Sequence, residues 1–338
     1  MIKKSGKKIA LFTAVAVFAF AFAIAISGAH AEKPAFAENK DKGFYTFLIC
    51  GTDAGGHNTD VMMLATLDVR SPRLNILQIP RDTFVNPEAS GLGITRVNAV
   101  YGAEYARAEG GERERRAMEA LCRFLEGALC VEIDRYVLMD TGALASAVDA
   151  VGGIEFDVPA EMHYDDPEQG LHIHLPAGKQ MLDGKKAEML LRYRSGYATG
   201  DLGRVDVRSR FLSEAISQVK KKMSPAAAAK TAVGLAFSVM TDASIYEISR
   251  YAASIFKVDD ENVNIKTIAG SAVQNPKTGA WIYYALNKEA ALDDINEYIN
   301  AGRAVCAEDF DRNAVFTDDP HGENPYISKY YYSKIKKE

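Results

Sequence analysis

Four cysteines in 338 residues (Cys50, Cys122, Cys130, Cys306) are too few and too scattered for a disulfide framework. Cys50 lies in an apolar run and reads as a small buried hydrophobe. Cys122 and Cys130 could pair, though nothing in their spacing requires it. Positive charge is not in excess either: 40 Lys and Arg against 45 Asp and Glu give a formal net charge of −5. That excludes the broad basic footprint of a nucleic-acid binder, so no nucleic-acid partner is expected. No GxSxG elbow, P-loop lysine motif, HExxH or CxxC occurs. Without a Ser or Cys nucleophile, chemistry falls to arginines, acids and a metal ion. This points to phosphoryl chemistry, where catalysis is largely positioning and charge stabilisation.

The chain opens with a targeting segment. Lys3, Lys4, Lys7 and Lys8 precede an uncharged, largely apolar run from Ile9 to Ile26. Basic residues before such a run keep the amino end cytoplasmic and send the rest across the membrane. Its eighteen residues are near the lower limit for spanning roughly 30 Å of hydrocarbon at about 1.5 Å per residue. Ala29-His30-Ala31 resembles a cleavage site, so a removed signal peptide competes with a retained anchor. The length of the run favours the anchor. The expectation is a single-pass cell-membrane protein with an extracytoplasmic domain, or a secreted one after cleavage. Residues 1–31 are read as a cytoplasmic stub and membrane segment, and 32–43 as a linker. Residues 44–302 are read as one folded domain, and 303–338 as a poorly ordered tail.

Within that domain, Phe44 to Cys50, Val61 to Leu67 and Leu74 to Ile79 are apolar runs closed by turn residues, the pattern of buried strands. Met118, Leu121, Cys122, Leu125 and Leu129 recur at helical spacing. A strand over Tyr136 to Met139, a helix over Gly142 to Val151 and a strand over Ile154 to Val158 follow. The pattern then predicts helices over Arg208 to Lys222 and Ala226 to Ala236. Another is entered at Thr241-Asp242 by N-cap chemistry and runs through Ile255. A strand over Val263 to Ile268 and a helix over Ala290 to Ile299 complete the series. The expected fold is α/β, a three-layer domain with a central mixed sheet flanked by helices.

The most informative segment is LRYRSGYATGDLGRVDVRSRFL, Leu191 to Leu212. It holds Arg192, Arg194, Arg204, Arg208 and Arg210, and no lysine occurs from Ala187 to Val219. Arginine alone suggests planar, permanently charged, bidentate donors suited to a phosphate or pyrophosphate. If RYR is a strand, Arg192 and Arg194 share one face. If a helix starts at Arg204, Arg204 and Arg208 share a face near an end that favours anions. The alternative for Arg208 is a surface arginine.

Asp53 in GTD and Asp60 in NTDVMML flank a glycine-containing loop between two strands, which brings two carboxylates to one sheet edge. A carboxylate pair plus a substrate phosphate is how proteins usually hold magnesium; equally, aspartates cap loops. Arg81 in IPRD either pairs with Asp82 or reaches toward Asp53 and Asp60. Arg96 is a further basic candidate, with Asn98 to orient it. His163, Asp165, Asp166, His172 and His174 form a second possible metal cluster, against which stands ordinary surface polarity.

Together these residues resemble the LytR-CpsA-Psr family of membrane-anchored glycopolymer phosphotransferases. The resemblance runs from about Phe44 to Ile299 through FLICGTD, TDVMMLATLD, LQIPRDTFV, RVNAVYGAEYA, IDRYVLMDTGALASAVDAVGGIEFDVP, GKQMLDGKKAEMLLRYR and GDLGR. It implies a central sheet with a long apolar groove for a polyprenyl chain. It also implies magnesium contacts at Asp53 and Asp60, and pyrophosphate contacts at Arg81, Arg192, Arg194 and Arg204. Asp201 would orient these arginines or assist catalysis. The implied donor is a polyprenyl-pyrophosphate-linked glycan such as teichoic acid or capsule, and the implied acceptor is peptidoglycan. Met162 to Leu175 resembles a family loop and strand, which weakens the second metal reading.

The chain departs from the family at three points. Asn58 in NTD stands where an arginine is usual, Val207-Arg208 replaces an Arg-Gln pair, and the loop between Asp53 and Asp60 is short. The same residues would serve a hydrolase that uses water as acceptor. The departures at Asn58 and Val207 favour a third reading, a non-catalytic lipid-binding or regulatory wall protein.

Overall fold

A computed structural model describes residues 43–52, 55–166, 171–193, 201–235, 239–274, 281–300 and 305. For residues 201–206 it describes the helix but not the side chains. Residues 1–42, which hold the expected targeting segment and most of the expected linker, lie outside the described residues, as do Asp53, Arg194, Cys306 and the expected tail beyond it. Among the described residues no helix is long and apolar enough to cross a membrane.

Six strands form the central sheet: β1 (Phe44–Thr52), β2 (Thr59–Asp68), β3 (Arg73–Ile79), β4 (Arg135–Met139), β9 (Val239–Thr241) and β10 (Val263–Thr267). Their order is β10-β3-β2-β1-β4-β9. β10 runs parallel to β3 and β4 parallel to β1, while the remaining pairs are antiparallel, so the sheet is mixed as expected.

Helices cover both faces. Leu48 and Cys50 pack with Val100 and Tyr101 of α1 (Asn98–Arg107), Leu121 and Leu125 of α2 (Arg113–Leu129) and Ile295 of α8 (Lys288–Tyr298). Tyr45, Phe47 and Ile49 point the other way. They join Leu144 of α3 (Thr141–Ala150), Leu190 and Leu191 of α4 (Gly184–Arg192), Phe211 of α5 (Asp201–Lys222) and Tyr251 of α7 (Ile245–Ile255). Successive strand residues face opposite layers, so a strand covered on both sides reads as a continuous apolar run. That is why β1 was legible. Helix α6 (Pro225–Leu235) follows α5.

Three two-stranded ladders lie outside the central sheet. They are β5 (Ile154–Val158) with β8 (Gly178–Leu182), β6 (Met162–Asp166) with β7 (Leu171–Leu175), and β11 (Gly270–Gln274) with β12 (Trp281–Leu286). Two expected boundaries are corrected. Thr241 ends β9, and α7 is entered at Ser244, whose side chain forms a capping box with Glu247. Helix α5 starts at Asp201 and not at Arg208; Gly203 and Asp206, both weak helix formers, hide its first two turns in the sequence. Cys50, Cys122 and Cys130 form no disulfide with one another, and burial pushes the Cys50 thiol pKa up.

Candidate active site

The site forms where β1 and β3 end and β2 begins. Gly51 pairs with Val61, but the next residue, Thr52, pairs with Thr59, so Asp60 is the extra residue of a β-bulge. Bulges bend a strand and re-aim a side chain. The Asp60 side chain is 3% exposed, and Arg81 Nη1 donates to its Oδ1 at 2.8 Å. Arg81 reaches this point because β3 pairs as far as Ile79, opposite Met62. Pro80, which has no N–H, then ends the ladder.

Arg81 meets Asp60 and also Asp82, whose Oδ2 lies 3.4 Å from its Nε, so the two readings of the IPRD doublet hold together as far as Asp60; Asp53 lies outside the described residues. Arg96 extends the row. Its Nε lies 3.3 Å from Asp82 Oδ1, its Nη2 donates to the Ile282 carbonyl at 3.0 Å, and its guanidinium stands over the Tyr283 ring. Asp82 and β12, not Asn98, are the described partners that orient Arg96; the Asn98 N–H goes to the Arg81 carbonyl. Backbone bonds fix this loop, from Tyr284 N–H to the Asp82 carbonyl and from Val97 N–H to the Thr83 carbonyl.

Beside Asp60, the Thr59 hydroxyl is fully buried and has no hydrogen-bond partner among the described residues. The β1–β2 loop rests on α1 at Gly102, where a Cβ would stand 2.7 Å from Asn58 Oδ1 and 3.1 Å from the His57 carbonyl oxygen. The departure at Asn58 therefore sits in a packed contact that needs the glycine.

A second group gathers at the end of α4. Asp183 caps the helix by accepting from the Lys186 N–H at 2.7 Å. Gly184 lets α4 close on α3, since a Cβ there would lie 2.3 Å from the Ala145 carbonyl oxygen. Ala187, Leu190 and Leu191 carry the buried face to the last turn, and Tyr193 turns extended. The strand expected at RYR is therefore not formed at Arg192 and Tyr193, and Arg194 lies outside the described residues. Arg192 is the final helical residue, and its Nη1 donates to Glu188 Oε1 at 3.0 Å within the same helix.

Asp201 and Arg204 stand in the first turns of α5, with their side chains outside the description. Arg208 lies one turn further on and is 5% exposed, which excludes the surface alternative. Its Nη2 donates to the Leu191 carbonyl at 3.0 Å. A guanidinium on a last-turn carbonyl complements the negative end of a helix. Val207, at the other departure, is buried in the core. The two groups are tied together by Gln78 of β3, whose amide donates to Ser209 Oγ of α5 at 2.9 Å.

Sequence reading missed the Asp82–Arg96 link, the Gly102–Asn58 contact and the Glu188 partner of Arg192. Only the last had a signal, its i, i+4 spacing. The histidine cluster lies elsewhere, on the β6–β7 ladder. There, hydrogen bonds from His172 and His174 hold the Asp165 carboxyl below the usual carboxylate range.

Known proteins resemble this chain along most of its length. The crystal structure of Bacillus subtilis TagV superposes with a TM-score of 0.60 at 23% identity, covering 77% of this chain and 98% of that one. In sequence, the chain is 29% identical over 191 residues to the B. subtilis (strain 168) protein named polyisoprenyl-teichoic acid–peptidoglycan teichoic acid transferase TagV. That match covers 56% of this chain and 46% of the relative. It is 37% identical over 167 residues to the probable cell wall biosynthesis protein LcpB of Corynebacterium glutamicum, covering 49% and 36%. The chain thus spans less than half the length of these curated relatives. The LytR_cpsA_psr family profile matches residues 13–299, and the chain belongs to that family.

Proposed function

We propose that the protein is a glycopolymer phosphotransferase that moves a polyprenyl-pyrophosphate-linked glycan, such as a teichoic acid or capsule polymer, onto peptidoglycan. The observation that carries this reading is the pair of buried Asp60 with half-buried Arg81 at the end of the central sheet, in a chain of this family. In the proposed reaction a peptidoglycan sugar hydroxyl attacks the phosphorus attached to the glycan. The bond from that phosphorus to the bridging oxygen breaks, and polyprenyl phosphate leaves. The hydroxyl proton passes to a nearby carboxylate, for which Asp53 and Asp201 are the proposed candidates. Arg81, Arg192, Arg194 and Arg204 are proposed to hold the diphosphate oxygens, with Arg96 at the rim.

Magnesium fits the donor set here. A buried carboxylate and, at Thr59, a buried hydroxyl with no hydrogen-bond partner among the described residues are hard oxygen donors. Asp60, with Asp53 one residue beyond β1, would hold the ion. When bound, it would supply charge neutralisation for the diphosphate. Arg81 already neutralises Asp60, so the ion's remaining counter-charge has to come from Asp53 and the diphosphate itself. The affinity of the protein for magnesium is therefore expected to rise with substrate present. Arg208, bonded inside the fold, is proposed to position the end of α4 and with it Arg192. The basic-then-apolar N-terminal run supports a location on the outer face of the cell membrane.

The test is to incubate the protein with a polyprenyl-pyrophosphate glycan, magnesium and peptidoglycan, then measure polyprenyl phosphate and wall-bound glycan. Equal amounts of released polyprenyl phosphate and newly wall-bound glycan support transfer. Polyprenyl phosphate without wall-bound glycan would assign a hydrolase. No turnover would leave a binding protein.

A further inference from the structure

The β6–β7 hairpin carries a group of side chains that the proposed reaction does not use. Its register sets His163 opposite His174 and Asp165 opposite His172. Alternation puts these four residues on one face of the ladder. Ile173, between the two histidines of β7, is buried on the other face. The His163 and His174 rings stand 4.3 Å apart between centroids. His174 Nε2 lies 2.9 Å and His163 Nε2 3.5 Å from Asp165 Oδ2. His172 Nδ1 lies 2.6 Å from the other carboxylate oxygen, Oδ1. One ligand atom each from His163, Asp165 and His174 falls within a 4.8 Å span.

These separations suit a metal ion. Tetrahedral zinc with ligands at about 2.0–2.1 Å sets its ligand atoms roughly 3.3 Å apart. Two imidazole nitrogens with one carboxylate oxygen suit zinc and related transition ions, whereas magnesium takes oxygen. The face is exposed, with side chains 37–67% accessible, so an ion can enter without local unfolding.

We infer that this face of the hairpin is a zinc site, with His163 Nε2, Asp165 Oδ2 and His174 Nε2 as ligands, water in the fourth position, and His172 holding the carboxylate from behind. Outer-shell partners of this kind orient a ligand and tune its affinity. The ion would clip β6 to β7, a ladder separate from the central sheet that carries Asp60 and Arg81. The inference therefore does not depend on the proposed transfer reaction.

The test is a zinc titration of the full chain, prepared without a polyhistidine tag, against a chromophoric chelator. The expected result is one ion per chain and a rise in melting temperature on binding. The exposed variants His163→Gln and His174→Gln should each weaken binding by at least roughly ten- to a hundredfold, the loss seen for even an outer-shell partner. His172→Gln should weaken it less, and His57→Gln, remote in sequence on the β1–β2 loop, should leave it unchanged. Zinc-edge X-ray absorption of the wild-type complex should show two imidazoles and no sulfur, a readout that does not depend on any variant folding. Absence of saturable binding, sulfur ligation, or undiminished binding in the His163→Gln/His174→Gln double variant would overturn the assignment.

Discussion

Arg81 and Arg208 are both held largely out of water, yet one faces a carboxylate and the other a backbone carbonyl. Arg81 follows a strand end and meets Asp60, a residue re-aimed by a bulge, with Asp82 on its other side. Arg208 points from the middle of one helix onto the last turn of another. The first arrangement places paired charges at the strand ends of the central sheet, where the proposed anion and cation would exchange with them. The second spends a permanent charge on fixing where a helix stops. Arginine density alone cannot separate these uses, because both need a planar, permanently charged donor. The partner separates them.

The largest expected effect lies on the Arg81 side. Asp60→Ala should reduce turnover by at least about a hundredfold, the scale of losing one preorganised electrostatic contact. It should also lower stability, because a charge-assisted bond is worth about 1.5–3 kcal/mol. Asp60→Asn keeps the shape and removes the charge. Wild-type turnover in that variant, measured across a magnesium titration, would break the comparison by making Asp60 merely structural.

The same contrast shows which parts of the molecule were legible in the sequence. The strands β1 to β3 announced themselves because burial on both faces leaves mostly apolar runs, interrupted only at Thr46, Thr66, Asn75 and Gln78. The Arg81–Asp60 contact was within reach because both residues flank strand ends that a hairpin must bring together. The position of Arg208 was not, since it depends on how α5 crosses the end of α4, a tertiary fact with no local signature. RYR misled for a related reason. Alternating Arg-Tyr-Arg mimics a strand, but the apolar stripe through Ala187, Leu190 and Leu191 keeps the chain helical as far as Arg192. Likewise, Thr241-Asp242 offers N-cap chemistry, yet β9 takes Thr241 into the sheet and the capping box at Ser244 opens the helix.

A matched pair of variants sharpens the comparison next. Arg192→Ala should weaken pyrophosphate binding by about 1.5–3 kcal/mol. Its melting temperature should barely move, since an i, i+4 pair such as Arg192–Glu188 contributes only about 0.3–0.5 kcal/mol. Arg208→Gln should do the reverse. Losing a buried charged donor from the Leu191 carbonyl destabilises by about 1.5–3 kcal/mol, and binding should fall only as far as Arg192 is displaced. Calorimetric binding and thermal melts on both proteins decide it. A full loss of binding with an unchanged melt in Arg208→Gln would move Arg208 into the anion site.

Gly184→Ala tests the same helix from its other end. The added Cβ meets backbone of α3 and not a movable side chain, so overpacking should destabilise by about 1–3 kcal/mol. If α4 shifts as a unit, pyrophosphate affinity should fall together with the melting temperature. If only the melting temperature falls, the Arg208 bond alone is enough to hold the Arg192 end in place.

The smallest expected effect concerns the Arg81 side again, at the contact between α1 and the β1–β2 loop. Gly102→Ala has two opposed consequences. Replacing glycine in a helix interior should stabilise by about 0.5–1 kcal/mol, but the new Cβ would stand 2.7 Å from Asn58 Oδ1 and 3.1 Å from the His57 carbonyl oxygen. The side-chain atom can swing away; the backbone atom can yield only if the loop moves. Near-cancellation in stability is therefore expected, with a clear fall in turnover because this loop joins Asp53 to Asp60. Asn58→Ala removes the closer clash, so the double variant should be more stable than the sum of the single changes, an interaction that a double-mutant cycle measures directly. Strict additivity would mean that Asn58 does not bear on Gly102, and that its place in this chain has no bearing on how the loop presents the two acids.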